Sequence, residues 1–473
     1  MSDLPGLDRD ALDRARLSRD PRFDGRFFIA VTSTGIYCRP ICPSPTSNAA
    51  NIRYYGSAAA AAEAGFRPCL RCRPEAAPGS PAWQGTSAVV SRALRLIQEG
   101  LLDEASVDVL AQRLGIGPRH LHRLFVRHVG ASPTTVAGTR RLQFAKNLLD
   151  DTDMPITQIA LAAGFGSVRR FNDAFRRTYG RSPREMRRQR RGGLTPQASD
   201  EVVLRLAYRP PYDWGHLRDF LAERAVPGVE RVDARGYSRT LTSDRGHAII
   251  RVRPLDGQHS LELRVCGAAP AELFPICVAA RRCFDLSADP VRIAAALASD
   301  PLLAPLVRQR PGLRIPGAWD PFECAVEAML ARGTSTAEAR EASGRLVARA
   351  GRAIPGGTDG LTHVFPAPAD LAAADLEGVG IGRSRLVMLG ALARAVVRGS
   401  VDFRGPAAEI SGALASLPGF DESTAQYVAL RGLGEPDAFP SASVELRSHA
   451  EAWRPWRGYA TLWLSQPEPV SAP

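Results

Sequence analysis

The sequence predicts a multidomain α+β chain: a small cysteine-bearing module, an all-helical domain, a strand-rich α+β domain and a last helical domain. Three observations carry this. The length of 473 residues points to three or four domains. Four of the cysteines gather in two short-spaced pairs near the N-terminus, Cys38 with Cys42 and Cys69 with Cys72. The apolar periodicity is helical over 86–191, strand-like from Val202, and helical again in short pieces after about Asp289. The expected domains are 1–80, 86–191, 200–288 and 289–473, with the linker PEAAPGSPAWQG after the first and the break RGGLTPQASD after the second.

Composition narrows the function classes. No apolar stretch approaches the ~20 residues of a membrane helix, and the opening MSDLPGLDRDALDRARLSRD is too charged for a signal peptide. A cytoplasmic protein without a membrane partner is expected. The net charge is +12, carried almost wholly by arginine, Lys146 being an exception. The excess clusters in RSPREMRRQRRGG, Arg181 to Gly193, where it reads either as a solvated linker or as a patch drawn to phosphates. Cys266, Cys277, Cys283 and Cys324 are scattered, so a disulfide scaffold does not fit a long cytoplasmic chain.

The N-terminal cysteines form a pair of pairs, Cys38-x3-Cys42 and Cys69-x2-Cys72, with 26 residues between them. Short spacing lets each pair grip one ion, and four thiolates complete the tetrahedron that zinc favours. A redox couple or four unrelated buried thiols are the competing readings. The flanking residues go further: DGRFFIAVTSTGIYCRPICPS and AAEAGFRPCLRCRPE resemble the N-terminal domain of the Ada adaptive-response family. That resemblance implies a Zn2+ centre in which Cys38 is both ligand and nucleophile, taking a methyl group irreversibly from a methyl phosphotriester in double-stranded DNA. Bound zinc keeps a thiol deprotonated near neutral pH. Methylation changes the charge of the centre from about −2 to about −1, which weakens repulsion from phosphate and makes a repair site a damage sensor. Thr34 and Arg67 match the family's DNA contacts. Pro43 and Pro45 stand where the family tends to carry arginines, leaving Arg39, Arg71 and Arg73 to compensate.

The middle of the chain repeats one plan. In SVDVLAQRLGIGPRHLHRLFVRHVGASP, Ser106 caps a helix through Val107, Leu110, Ala111 and Leu114, Gly115 turns the chain, and a second helix starts near Gly117. In PITQIALAAGFGSVRRFNDAFRRTYGRSP, Ile156, Ile159, Ala160 and Ala163 precede a turn at Gly164 and a second helix through Phe171 and Phe175. Each is a helix-turn-helix whose second helix can enter a major groove. Those helices carry Arg119, His120, Arg123 and Arg127, then Arg169, Arg170, Arg176 and Arg177. Two such units in tandem resemble the AraC-family DNA-binding domain. That implies two readers on successive major grooves of promoter DNA, backbone contact from the basic run, and RNA polymerase as a partner of the resulting activator.

LRLAYRPPYDWGHLRDFLAERAVPGVERV, RPGLRIPGAWDPFECAVEAML, LPGFDESTAQYVALRGLGEPDAFP and EAWRPWRGYATLWL resemble AlkA-type 3-methyladenine DNA glycosylases, from about Val202 to Leu464. The family places a strand-rich domain before a helical domain with a helix-hairpin-helix, and flips a damaged base into an aromatic pocket. Three functional positions have drifted. The hairpin's second glycine is Asp421, after Gly419, and Asp421 with Glu422 adds negative charge where phosphate is expected; Ser423 stands where the family often has tryptophan. Ser443 falls at the expected catalytic aspartate, and neither Asp437 nor Glu445 replaces it in register. The wedge loop reads Ala331 to Ser335, with Gly333 lacking a side chain to fill the gap left by a flipped base. Tyr427 persists as an aromatic that a pocket or a core could use. The resulting expectation is an Ada-type acceptor and activator fused to an impaired glycosylase. Two alternatives stay open: a working glycosylase with damage-finding N-terminal domains, and an AraC-type regulator whose zinc is purely structural.

Overall fold

The Asp8 carboxylate accepts the Ala11 N–H and caps the first helix, Arg9–Ser18. The structure, a computed structural model, describes residues 7–78, 88–190, 201–357, 359–441 and 444–465. By its contacts the chain divides into two compact units, Met1–Pro210 with Leu255–Val278, and Pro211–Pro254 with Ala279–Pro473.

In the first unit, a small sheet of β1 (Phe28–Val31), β2 (Ile36–Cys38), β3 (Ile52–Tyr55) and β4 (Arg67–Pro68) runs in the order β3-β1-β2-β4. Side chains alternate across β1, as strand geometry requires. Ile29 joins Leu12, Ala15, Phe27 and Ile52 on one face, while Phe28 and Ala30 join Tyr37, Ala58 and Ala61 on the other. The alanine run of helix Ala58–Glu63 lets that helix lie close to the sheet, with Ala58 through Ala61 all buried.

The two predicted helix-turn-helix units follow. Val107–Arg113 and Pro118–Val129 are joined through Gly115 at φ +68°, with Ser106 capping the first as predicted. Ile156–Ala162 and Val168–Tyr179 are joined through Gly164 at φ +77°. Glycine suits both turns because the left-handed region penalises a Cβ. The 19-residue helix Pro133–Asp151 links the two units. Phe165, Phe171, Phe175 and Tyr179 pack ring against ring in sequence within the second, in tilted and edge-to-face contacts at centroid distances of 5.2, 5.5 and 4.5 Å. Strand Glu201–Ala207 pairs antiparallel with Ser260–Cys266. Residues 191–200, the predicted break, lie outside the described residues.

The second unit holds an antiparallel meander of Glu230–Asp233, Gly236–Ser243 and Gly246–Leu255, followed by helices. Pro321–Ala331, capped by Asp320, packs against Thr336–Ala350 and Glu422–Arg431. At the hairpin before Glu422–Arg431, Gly419 sits at φ +90°, and a Cβ there would come within 2.5 Å of the Met388 sulfur. No helix among the described residues is long and apolar enough to cross a membrane.

Candidate metal centre and nucleic-acid interface

Strand pairing assembles the metal centre. β2 and β4 run parallel, with Ile36 opposite Arg67 and the Cys69 N–H donating to the Tyr37 carbonyl at 2.9 Å. Cys38 ends β2 and Cys69 follows β4, so the ladder delivers one cysteine of each pair to the same end of the sheet. The sulfurs of Cys38, Cys42, Cys69 and Cys72 all lie within 4.8 Å of one another. A tetrahedral zinc with bonds of about 2.3 Å separates its sulfurs by about 3.8 Å, so the set fits the ion. Cys69 and Cys72 are buried, whereas Cys38 and Cys42 are half-exposed. The Arg39 N–H also donates to the Cys72 sulfur at 3.3 Å. Four thiolates this close repel one another, so the deprotonated set needs a cation to hold it together.

The basic residues around this centre divide into two groups. Thr34, in the β1–β2 turn, is exposed together with Arg67 and Arg71, as are Pro43 and Pro45. Arg39 and Arg73, expected to compensate at phosphate, are instead committed inside the protein. The Arg39 Nε donates to Asp24 at 2.8 Å, its terminal nitrogens reach the other Asp24 oxygen and the Cys72 carbonyl, and Asp24 is buried. Arg73 pairs with Asp150 at 3.0 Å and Asp151 at 3.1 Å.

Those two aspartates end the helix that links the reading units, and the contact continues inward. Lys146, the only lysine in the sequence, is buried between Glu75 at 3.4 Å and Asp150. The Asn147 amide donates to the Glu75 carbonyl at 3.1 Å. Burial raises the Glu75 pKa, and Lys146 opposes that rise. The predicted linker PEAAPGSPAWQG therefore begins later than expected: Pro74–Ala76 is a buried 3-10 turn, because Glu75 is drawn to the only lysine. Residues 79–87 lie outside the described residues.

The predicted readers occupy the outer faces of the second helices. Arg119, His120, Arg123 and Arg127 are exposed on Pro118–Val129, where an Arg123 terminal nitrogen lies 2.9 Å from the His120 Nδ1. Arg169, Arg170, Arg176 and Arg177 are exposed on Val168–Tyr179. The basic run beyond them forms helix Pro183–Arg190, in which Arg184 and Arg188 are exposed but Arg187 is buried. Its charge is thus only partly available to a backbone.

In the C-terminal half, Asp421 corrects one expectation. Its φ is −112°, so the position needs no glycine. It caps helix Glu422–Arg431 by accepting from the Thr424 N–H at 2.8 Å, and pairs with Arg332 at 2.9 Å, which offsets part of its charge. Thr424 is the first cause holding the Asp421 carboxyl below the usual range. Tyr427, which a core could have claimed, lines a cavity with Ser423 and Glu327. Gly333 sits at φ +63° with open space where a Cβ would be. Asp437 is tied to Arg454 and, at 2.9 Å, to Arg457. Ser443 lies outside the described residues, and Glu445 falls in helix Val444–Ala450. Sequence reasoning missed Glu327, although a carboxylate one turn after Glu323 in the otherwise apolar CAVEAML was the available signal.

Comparison with known proteins joins these parts. Residues 11–75 match the metal binding domain of Ada, 110–189 a helix-turn-helix domain, and 203–320 the AlkA N-terminal domain. The four-sulfur centre is thus an Ada-type zinc site. A probable bifunctional transcriptional activator/DNA repair enzyme AlkA of Mycobacterium tuberculosis is 40% identical over 480 residues, covering 97% of this chain and 96% of its own. The DNA-3-methyladenine glycosylase 2 of Escherichia coli is 32% identical over 55% of this chain and 95% of its own. The bifunctional transcriptional activator/DNA repair enzyme Ada of the same organism is 37% identical over 32% of this chain and 40% of its own. With zinc, helix-turn-helix and AlkA-type segments matched in turn, and one relative aligned along almost the whole of both chains, this chain belongs to the family of bifunctional transcriptional activator and DNA repair proteins that unite Ada-type and AlkA-type domains.

Proposed function

We propose that Cys38 accepts a methyl group from a methyl phosphotriester in double-stranded DNA, and that the methylated chain binds promoter DNA and activates transcription. The observation carrying this is asymmetry at the zinc site: Cys69 and Cys72 are buried, while Cys38, like Cys42, is half-exposed in a module whose Thr34, Arg67 and Arg71 are exposed. Zinc, when bound, supplies the positive charge that keeps sulfur anionic near neutral pH. The Cys38 sulfur attacks the methyl carbon in line and a carbon–sulfur bond forms. The carbon–oxygen bond breaks, and its electron pair stays on the phosphate as a diester anion. Exposed Arg67 and Arg71 suit the adjoining phosphates, and Thr34 suits a single hydrogen bond to one of them. The zinc-loaded chain, exposed to DNA carrying these triesters, is expected to gain roughly 14 Da on Cys38 (one methyl on a zinc-bound thiolate). The Cys38→Ser chain is expected to gain nothing. An unmodified Cys38 peptide beside DNA that still carries its triesters would overturn the reading and leave the zinc purely structural.

Promoter recognition falls to Arg119, His120 and Arg123 in one groove and Arg169 and Arg170 in the next, in a cytoplasmic setting where RNA polymerase is the partner of the bound activator. Substituting Ala for a base-reading arginine is expected to cost about 1–3 kcal/mol and relax sequence preference; for a phosphate contact it should lower the salt slope by about one, uniformly across sequences. Titrations at several salt concentrations separate the two.

The AlkA-type half is proposed to excise cationic alkylated bases slowly. A serine at 443 supplies no fixed negative charge to an oxocarbenium-like transition state, and losing such a preorganised charge costs about 3–4 kcal/mol. Ser443→Asp in the full chain is expected to speed 3-methyladenine release by about 10²-fold or more. Wild-type turnover already at that level would sink the impairment.

A further inference from the structure

Helix Pro321–Ala331 buries Phe322, Cys324, Ala325, Val326, Ala328, Met329 and Leu330, yet it sets a carboxyl on the wall of a cavity of about 350 Å³. That carboxyl is Glu327, and it shares the cavity with Tyr427, Ser423 and Thr334. Every element packed around it brings charge. Glu323 precedes it by one turn, Glu230 and Arg239 come from the meander, and Arg431 from helix Glu422–Arg431. Arg224 and Arg340 also line the cavity, from helices Trp214–Arg224 and Thr336–Ala350, as does Arg332 just after helix Pro321–Ala331.

The cations have other partners: Arg224 donates to the Phe220 carbonyl at 3.3 Å and to Glu223 at 2.9 Å, and Arg332 pairs with Asp421 at 2.9 Å. Arg431 donates to the Pro316 carbonyl at 2.7 Å and to the Tyr427 hydroxyl at 2.6 Å. Arg239 donates to Glu323 at 2.8 Å, and Arg340 to the Ala225 carbonyl at 2.9 Å. Among the described residues no hydrogen bond reaches the Glu327 carboxyl. A cavity-lining carboxyl without such a partner is placed to offer its proton to a bound molecule. Its protonation agrees: burial first, then the nearby Glu230, push its pKa up to about 8.

We propose that Glu327 is the general acid of a nucleobase pocket, protonating a ring nitrogen of a neutral purine seated in this cavity. As the proton moves from Glu327 to the base, the C1′–N bond breaks and its electron pair leaves with the base. Water adds at C1′ and returns a proton to the Glu327 carboxylate. The sum is nucleoside plus water to free base plus abasic sugar. The tyrosine ring suits the flat face of a base, and the acid suits one that cannot leave unaided. A ring-methylated purine already carries positive charge and leaves without a proton, so it gains nothing from this acid. The proposal rests on the AlkA-type reading of this half of the chain and is independent of Cys38.

The test uses the full zinc-loaded chain in excess over duplexes bearing one hypoxanthine, the neutral probe, or one 7-methylguanine, the cationic one. Wild-type hypoxanthine release is expected to hold steady below about pH 8 and to fall about tenfold per pH unit above it. Glu327→Gln keeps the shape of the protonated carboxyl and is expected to slow hypoxanthine release about 10²-fold more than it slows 7-methylguanine release. Equal hypoxanthine release by wild type and variant, or a wild-type profile flat to pH 9.5, overturns the proposal. So does release of 7-methylguanine alone. Release of neither base overturns the glycosylase reading beneath it. Should the variant not fold, the wild-type profile decides alone.

Discussion

Cys69→Ala is expected to cost the N-terminal module its metal and its fold in one step. The sheet there consists of strands of four, three, four and two residues, and its two core clusters each hold five buried side chains among the described residues. A module of this size has only a marginal core of its own, and a metal or cross-link commonly makes up the difference. Structural zinc contributes about 10–16 kcal/mol in zinc-dependent peptides, against a usual domain stability of about 5–15 kcal/mol. Cys69 also adjoins the two-residue strand that brings the cysteine pairs together, through its N–H to the Tyr37 carbonyl. The expected results are loss of stoichiometric zinc, protease cleavage between β2 and β4, and no methyl adduct on Cys38. The cavity-bearing unit should keep its own thermal transition. A chelator should reproduce all of this in the wild-type chain. Retained zinc together with retained protection would show that the core holds the module without its fourth sulfur.

The zinc centre was legible because metal ligation fixes both residue type and spacing, and the helix-turn-helix units because caps and glycine turns leave local marks. Ser106 and Gly115 are such marks, and both are where the sequence placed them. What sequence could not reveal is how charges are spent. Arg39, Arg67, Arg71 and Arg73 read alike along the chain, yet Asp24 claims the first and Asp150 with Asp151 the last. Those partners are 15 and 77 or more residues away, beyond any local pattern. Glu75 looked like linker for the same reason, since its partner Lys146 is 71 residues on. At Asp421 a family pattern misled, because what the turn uses is an N-cap, and aspartate caps as well as any residue. Glu327 was hidden by the apolar helix that carries it.

Arg239→Met is expected to destabilise the second unit by about 3–5 kcal/mol at pH 7.5, the usual result of removing one partner from a buried ion pair. Arg239 is 1% exposed. It donates to both oxygens of Glu323, at 2.9 and 2.8 Å, to Glu230 at 3.3 Å and to the Thr240 carbonyl at 3.2 Å. Methionine fills similar space but leaves two carboxylates without their cation. The loss should depend on pH, with a sign that follows from Glu323. Burial raises the pKa of that carboxyl to about 7 even with the arginine opposing the rise, so removing the arginine raises it further. A folded-state pKa above the unfolded one means that the native state holds a proton the unfolded chain has released. Stability is then full below about pH 4.5 and falls as pH climbs through 7. The variant's deficit should accordingly be small at pH 5 and largest above pH 7.5, measured as denaturant midpoints across that range. A deficit constant with pH would mean that packing around Trp319, whose ring lies 5.3 Å from the guanidinium, outweighs the charges. The consequence reaches the cavity, because Glu323 and Glu327 lie one turn apart on the same helix. In the variant a protonated Glu323 no longer repels the Glu327 carboxylate and Arg239 no longer attracts it. Glu323 is the larger of the two influences, so the upper limb of the hypoxanthine pH profile should move to lower pH, whereas a purely local fault would move only the stability curve.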